Sequence, residues 1–277
     1  MTYEKDAEKE KRFHLLVKII SFLAFLLIWH LLVTGAESSP FLMQYRIHEI
    51  PAPFEAVQAL VGNFLGRGIG STYERGIGLN SLMSFIRVLV GFAIACVLGI
   101  PIGLAMGYLK YGVDAGGTIV EILRPIPPLA WIPIAIMIFR ENAPLFIVFL
   151  GCFFPIVLNT TAGVKCVDMK LMEAAKTLGA SSRHLVSKVV MPWALPSVVT
   201  GMRIGLGIGW MSVVAAEMVG VKRGLGIGAF IWRVYTSGNI DLVVAGMIMI
   251  GFIGWLMNFS IEFTERKLLK WRRTIGG

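Results

Sequence analysis

Six long apolar runs, separated by more polar stretches, set the pattern of this chain. The first covers Leu15 to Val33, with Lys18 able to snorkel near one end and His30 an interfacial residue near the other. Val88 to Leu109 follows almost without interruption. The third run, about Thr118 to Phe139, is irregular because Pro125, Pro127, Pro128 and Pro133 break it. Ala143 to about Thr161, about Trp193 to Val219, and Leu242 to about Phe263 complete the set. A bilayer crossing needs roughly 20 mostly apolar residues. The pattern therefore predicts an all-α integral membrane protein with about six transmembrane helices and both termini on one side. It divides the chain into a tail (1–14), a first span (15–33), an outer segment (34–80), a core of five helices (81–265) and a basic tail (266–277).

Two polar stretches keep helical periodicity. In the outer segment, Pro51 and Pro53 precede FEAVQALVGNFL, in which Phe54, Val57, Leu60, Val61 and Phe64 share one face and Glu55 lies in the first turn. That predicts an amphipathic helix on the membrane surface, and the GRGIG and RGIG strings after it read as loop. Between Thr161 and Pro192 the chain carries Lys165, Lys170, Lys176, Arg183, His184 and Lys188, against Asp168 and Glu173 as the only acids. Asp168 is expected to cap a helix with Leu171, Met172, Ala175 and Leu178 on one face and Gly179 at its end. Ser181 or Ser182 then caps a second short helix carrying Leu185, Val186, Val189 and Val190. A polar helix–turn–helix at 164–192 is too ordered for a mere connector.

Small residues add a further pattern. Gly91, Ala95, Gly99, Gly103 and Gly107 recur at every fourth position of the second run, and Gly201, Gly205 and Gly209 do so in the fifth. Such stripes let a neighbouring backbone approach closely, strong support for tight packing and weak support for sliding. The GLGIG strings at 205–209 and 224–228 are not phosphate loops: neither follows a strand in a βαβ unit, and no G-x-x-x-x-G-K-[ST] occurs.

Composition agrees with the membrane reading. Only 16% of residues are charged and the mean hydropathy is +0.74, against about 25% charged in soluble domains. The net charge of +9 does not point to nucleic acid, because no basic face is interleaved with stacking aromatics. Lys5, Lys9, Lys11, Arg12, Lys110, the central stretch and Arg266, Lys267, Lys270, Arg272 and Arg273 all fall on one side, which predicts cytoplasmic termini. A loop from Lys222 to Arg233 is the minor exception outside. Cys96, Cys152 and Cys166 have no metal-ligand spacing, and the charged start without a small-residue cleavage site predicts an uncleaved first span. The Asn-x-Ser/Thr matches at Asn159 and Asn258 lie within or beside spans, where glycosylation is not expected.

Glu173-Ala174-Ala175, then Gly179-Ala180, then Val189, Val190, Met191 and Pro192 reproduce the EAA loop of ABC-transporter permeases, with Val189 and Met191 where Ile and Leu are usual. In order along the chain, IPAPFEAVQAL, RVLVGFAIACVLGIPIGLAMG, LRPIPPLAWIPIAI, EAAKTLGAS, MPWALPSVVTGMRIGLGIGW and VAAEMVG are similar to the nitrate/sulfonate/taurine/bicarbonate group of importer permeases, over roughly residues 50 to 265. The resemblance implies a type I (MetI-like) architecture. It also implies a non-catalytic inner-membrane subunit of an ATP-driven, binding-protein-dependent importer. In that role Glu173, Ala174, Ala175, Gly179, Ala180, Met191 and Pro192 belong to a cytoplasmic coupling helix and its turn, seated in a groove of a separate ATPase. Ala174 and Ala175 let the helix sit deep, Glu173 pairs with a basic or amide group, Gly179 permits the turn, and Pro192 ends the second short helix. The implied partners are two ATPase subunits that bind ATP and Mg, an external solute-binding protein, and a second permease copy, with lipid around them. No cofactor is expected in this chain.

Charge within spans is costly and flags function, which singles out Arg87, Arg124, Arg203 and Glu217. Arg87 and Arg203 either offset an anion in the pathway, snorkel to a membrane face, or pair with a carboxylate such as Glu217. PIPPLAWIP supplies irregular backbone at membrane depth, making Pro128 and Trp131 candidates for a gate or shallow site. The cargo left open is nitrate, bicarbonate, taurine or an alkylsulfonate. The alternative is an ATP-independent secondary transporter or channel, for which inverted repeats or several buried acids are expected and neither is found. A membrane enzyme would need a catalytic constellation in the spans, and none is visible.

Overall fold

The structure, a computed structural model, describes residues 2–38, 44, 47–65, 76–220 and 224–268, apart from the side chains of 2–9, 11, 37–38, 220 and 268. The described residues form helices and turns only, in two compact units: Met1–Gly76 with Arg233–Ile248, and Ile77–Trp232 with Met249–Gly277. The GRGIG string and the residues beyond 268 in the basic tail lie outside the described residues.

In the first unit, α1 (Thr2–Ser38) runs without a break from the charged tail through the first apolar run. Glu, Lys and Ala are good helix formers, so the change in polarity at residue 14 ends nothing. Helix α2 (Pro53–Asn63) is the amphipathic helix expected: Pro53 opens it, and Glu55 Oε2 accepts from the Ala52 amide at 2.9 Å. Its Phe54, Val57 and Val61 are exposed, as is Phe64 just beyond it, while Ala56 is buried.

The second unit begins with α3 (Ile77–Tyr108), which starts at Ile77 rather than Val88. Asn80, placed at the end of the outer segment by the sequence, and Ser84, which precedes the second apolar run, are both buried in the helix with hydrogen-bond partners. Next come α4 (Gly112–Leu123), a single 3-10 turn at Pro128–Trp131, α5 (Ile132–Phe139) and α6 (Ala143–Lys165). The prolines split the third predicted span into α4 and α5, which accompany α6 in the opposite sense. Val120 packs with Val157, Ile132 with Ile147, and the Phe139 ring stacks on Phe146 at 4.7 Å. Five stretches are long and apolar enough to cross a membrane among the described residues: Arg12–Ala36, Ile77–Tyr108, Pro128–Lys165, Ser182–Val219 and Ile240–Lys267. Of the third predicted span, only the part from Pro128 falls within them, in one stretch with α6.

Beyond α6 lie α7 (Met169–Thr177), α8 (Ser182–Leu185), a π turn at Val186–Val190, α9 (Met191–Gly220), α10 (Ile227–Thr236) and α11 (Ile240–Leu268). Pro192 does not end a helix, as the sequence predicts. It has no N–H to donate and its ring crowds the carbonyl four residues back, and the wider π turn just before it absorbs both, so α8 continues into α9. The expected loop at 222–233 is also corrected: from Ile227 it is α10, with Ile227 and Phe230 fully buried.

Both glycine stripes press on α6. A Cβ at Gly103 would stand 2.6 Å from Thr160 Cβ, and one at Gly107 2.6 Å from Val164 Cβ, so α3 lies parallel to α6. At Gly201 and Gly205 the obstacles are the carbonyls of Pro155 and Cys152, both at 2.9 Å, so α9 lies antiparallel to it. Lipid gives helices little hydrophobic reason to associate, and this close approach supplies dispersion contacts and interhelical hydrogen bonds instead. One such bond runs from Thr161 Oγ1 to the Gly103 carbonyl at 3.1 Å. The residues of α11 after Met249 pack antiparallel on α9, where Trp210 Nε1 donates to the Ile250 carbonyl at 3.1 Å.

Candidate functional site

At one end of the second unit, the 164–192 stretch forms the two capped helices expected, apart from the continuation through Pro192. Asp168 caps α7 by accepting from the Lys170 amide at 2.9 Å. The helix ends in a Schellman turn: Ala180 N–H donates to the Ala175 carbonyl at 3.0 Å and Gly179 N–H to Lys176 at 2.9 Å. Gly179 has φ +79°, the left-handed conformation that the turn requires and that glycine adopts without strain. Ser181 then caps α8 by accepting from the His184 amide.

No residue of α7 is buried. Its apolar Met169 and Leu171 are exposed, as is Leu178 in the turn, at 88%. The Glu173 carboxylate projects without an ion pair among the described residues, beside Ala174 and Ala175. What fastens α7 is Met172, packed near Val164, Val190 and Ala194, together with the Trp193 indole, which donates to the Cys166 carbonyl at 3.0 Å. The result is a rigid helix with both caps satisfied and an open apolar and acidic face. Met191 and Pro192 lie at the start of α9, just past the π turn.

A cavity of about 320 Å³ opens farther along the bundle, between the broken third segment, α6 and α9. Its walls are mainly apolar (Ile126, Leu150, Phe154, Leu158, Ile204 and Ile208), with Pro128, Asn159 and Arg124 among the rest. The α6 residues that line it, Leu150 to Asn159, occupy the middle of that helix. Arg124 forms no ion pair among the described residues. Trp131 follows Pro128 in the same 3-10 turn, and its buried indole N–H meets no acceptor among the described residues.

The other charges flagged from the sequence are neutralised elsewhere. Arg87 Nη1 meets Glu217 Oε1 at 2.6 Å, with Glu217 fully buried, and Arg203 Nη2 meets Glu265 Oε2 at 2.5 Å. None of these four lines the cavity. The sequence reading missed Asn80 and Ser84 as partners in the Glu217 cluster. Their spacing with Arg87, at 80, 84 and 87, puts all three on one helical face and was the available signal. Among the described residues no group of His, Cys, Asp and Glu is arranged to hold a metal.

Long apolar helices packed into a bundle, with an exposed and doubly capped helix at its end, define an integral membrane protein of the helical class. Residues 99–273 match the family described as binding-protein-dependent transport system inner membrane component. The chain is 41% identical over 227 residues to a putative ABC transporter permease protein of Methanocaldococcus jannaschii, covering 81% of this chain and 83% of that one. It is 35% identical to the nitrate import permease protein NrtB of Synechocystis (87% and 84% covered) and 31% identical to the bicarbonate transport system permease protein CmpB of Synechococcus elongatus (95% and 92%). Its fold matches an inward-facing structure of the MetNI methionine ABC transporter with a TM-score of 0.56 at 20% identity, over 78% of this chain and 96% of that one. This chain belongs to the binding-protein-dependent ABC importer permeases. It is a non-catalytic, multi-pass inner-membrane subunit, served by a separate ATPase that binds the ATP and by a solute-binding protein.

Proposed function

We propose that two copies of this chain pair about a two-fold axis to form the pathway for a small anion or sulfonate, of the nitrate, bicarbonate, taurine or alkylsulfonate class. The likeness to nitrate and bicarbonate permeases supports that class. The observation that carries it is Arg124: an exposed cation on the wall of a largely apolar cavity beside the middle of α6, with no paired carboxylate among the described residues. An isolated charge beside the middle of a span is costly, and a passing anion offsets the cost. The apolar walls strengthen the attraction by keeping the local dielectric low. Pro128 and Trp131 stand at the break beside it and serve as the gate. Arg87, Arg203 and Glu217 already have partners and add little field to this path.

In this reading Glu173, Ala174, Ala175, Gly179 and Ala180 dock in the ATPase groove on the cytoplasmic side, where both chain termini lie, with Met191 and Pro192 setting the exit of α8 into α9. ATP binding closes the two ATPase subunits, draws the two coupling helices together and rocks the spans toward the outside. The solute-binding protein then releases its anion into the opening.

Uptake by the reconstituted importer tests the electrostatic part. Arg124→Gln should lower uptake about tenfold or more with ATP hydrolysis retained, equal to at least about 1.4 kcal/mol of lost stabilisation, and Arg124→Lys should keep part of it. Normal uptake by Arg124→Gln removes Arg124 from the pathway.

A further inference from the structure

The second GLGIG string, at 224–228, is arranged around an anion that the protein itself supplies. Gly228 N–H donates to Glu217 Oε2 at 3.1 Å, Ile227 N–H to Ser84 Oγ at 2.8 Å, and Gly226 N–H to Asn80 Oδ1 at 3.1 Å. Ser84 Oγ passes a hydrogen bond on to Glu217 Oε2 at 2.7 Å. Arg87 Nη1 donates both to Glu217 Oε1 at 2.6 Å and to the Leu225 carbonyl at 2.5 Å. Side chains of α3 and α9 thus satisfy the amides that open α10, as a bound anion would at a free helix N-terminus. The glycines are required by this closeness. A Cβ at Gly226 would overlap the Glu217 carboxylate, and one at Gly228 the Val214 carbonyl.

Stability alone does not account for the arrangement. Removing two charges from water offsets much of their attraction. What the cluster adds is a specific joint, in which two helices and one segment share a single set of directed bonds. One of those helices reaches back to the coupling loop, because Ser182–Val219 is a single helical run of 38 residues through the π turn. A displacement imposed on α8 is carried along that run to Glu217.

We propose that Arg87 and Glu217 are positioning residues that deliver movement of the coupling loop to segment 224–228, at the end of the permease that faces the solute-binding protein. The inference rests on the importer reading for its readouts. It does not depend on Arg124 or on the identity of the cargo, so failure of the anion pathway leaves its test intact.

The test uses the complete importer, reconstituted with its ATPase and solute-binding protein. Glu217→Gln and Arg87→Gln should each keep basal ATP hydrolysis near that of the parent, even though breaking a buried pair lowers the melting temperature. In both, stimulation by the loaded binding protein should fall about tenfold, within the range of coupling between linked sites. The double variant should lose no more than either single one, because both act through one joint. Ser84→Ala keeps the ion pair and removes the bridge from Glu217 to the Ile227 amide, with a bond to the Asn80 carbonyl in its own helix, so it serves where a charge variant fails to assemble. Its stimulation should fall by a smaller factor at unchanged basal rate. Parent-like stimulation in the variants that assemble overturns the proposal. So does a loss of basal hydrolysis and stimulation in parallel, which marks a fastener of the fold.

Discussion

Gly179 and its neighbour Leu178 differ in what they contribute to the proposed coupling loop. Gly179 takes the φ of +79° that lets two amides close the end of α7, while Leu178 is left 88% exposed for a partner to cover. Nothing lies within 4 Å of a Cβ at Gly179, so space is not the constraint there; backbone conformation is. An L-residue in this conformation costs about 1–2 kcal/mol, enough to open a surface turn that no core contact holds. Gly179→Val should therefore leave membrane insertion intact and lower the uptake obtained per ATP hydrolysed, measured in reconstituted vesicles. Asp168 and Gly179 were legible in the sequence because each acts on amides within a few residues of itself. The partner of Arg87 was not: Glu217 lies 130 residues away, and the sequence left snorkelling, an anion and an ion pair equally open.

At the scale of elements, α6 is the shared wall against which α3 and α9 are fitted. The glycine stripes told where close approach would occur but not what would approach, since a stripe fits any helix with a smooth face. The structure assigns both to α6 and so favours packing within the subunit. Gly103→Ala places a methyl group 2.6 Å from Thr160 Cβ and 2.8 Å from the Val157 carbonyl, where backbone has to move. It should cost about 1–3 kcal/mol, seen as a lower melting temperature in detergent. Gly207→Ala meets nothing within 4 Å and should melt like the parent, a control for added bulk as such. Prolines show the complementary case. The run at 125–133 splits a span into α4 and α5 as expected, whereas Pro192 is accommodated by a π turn that no local propensity announces.

For the whole molecule, the antiparallel course of α9 and α11 brings Arg203 to Glu265 and places the end of α11 on the coupling-loop side of the bundle. The charge bias of the sequence predicts that this side is the cytoplasm. Cys166 reports on it directly, being exposed at the foot of α6, whereas Cys152 is buried and Cys96 partly so. A membrane-impermeant maleimide should label Cys166 in inverted vesicles and not in right-side-out ones. Labelling from the outside would reverse the orientation. The sequence by itself determined most of the long helices, the caps of the 164–192 loop and the family, because these depend on periodicity and on contacts a few residues apart. Only the tertiary structure decided which charges are spent on each other and which one faces the cavity. It also turned an expected outer loop into α10, and it drew Asn80 and Ser84 into a span. Hydropathy scores a polar residue as if it met water, whereas the cost of burying it is set by a partner that the fold brings from far along the chain.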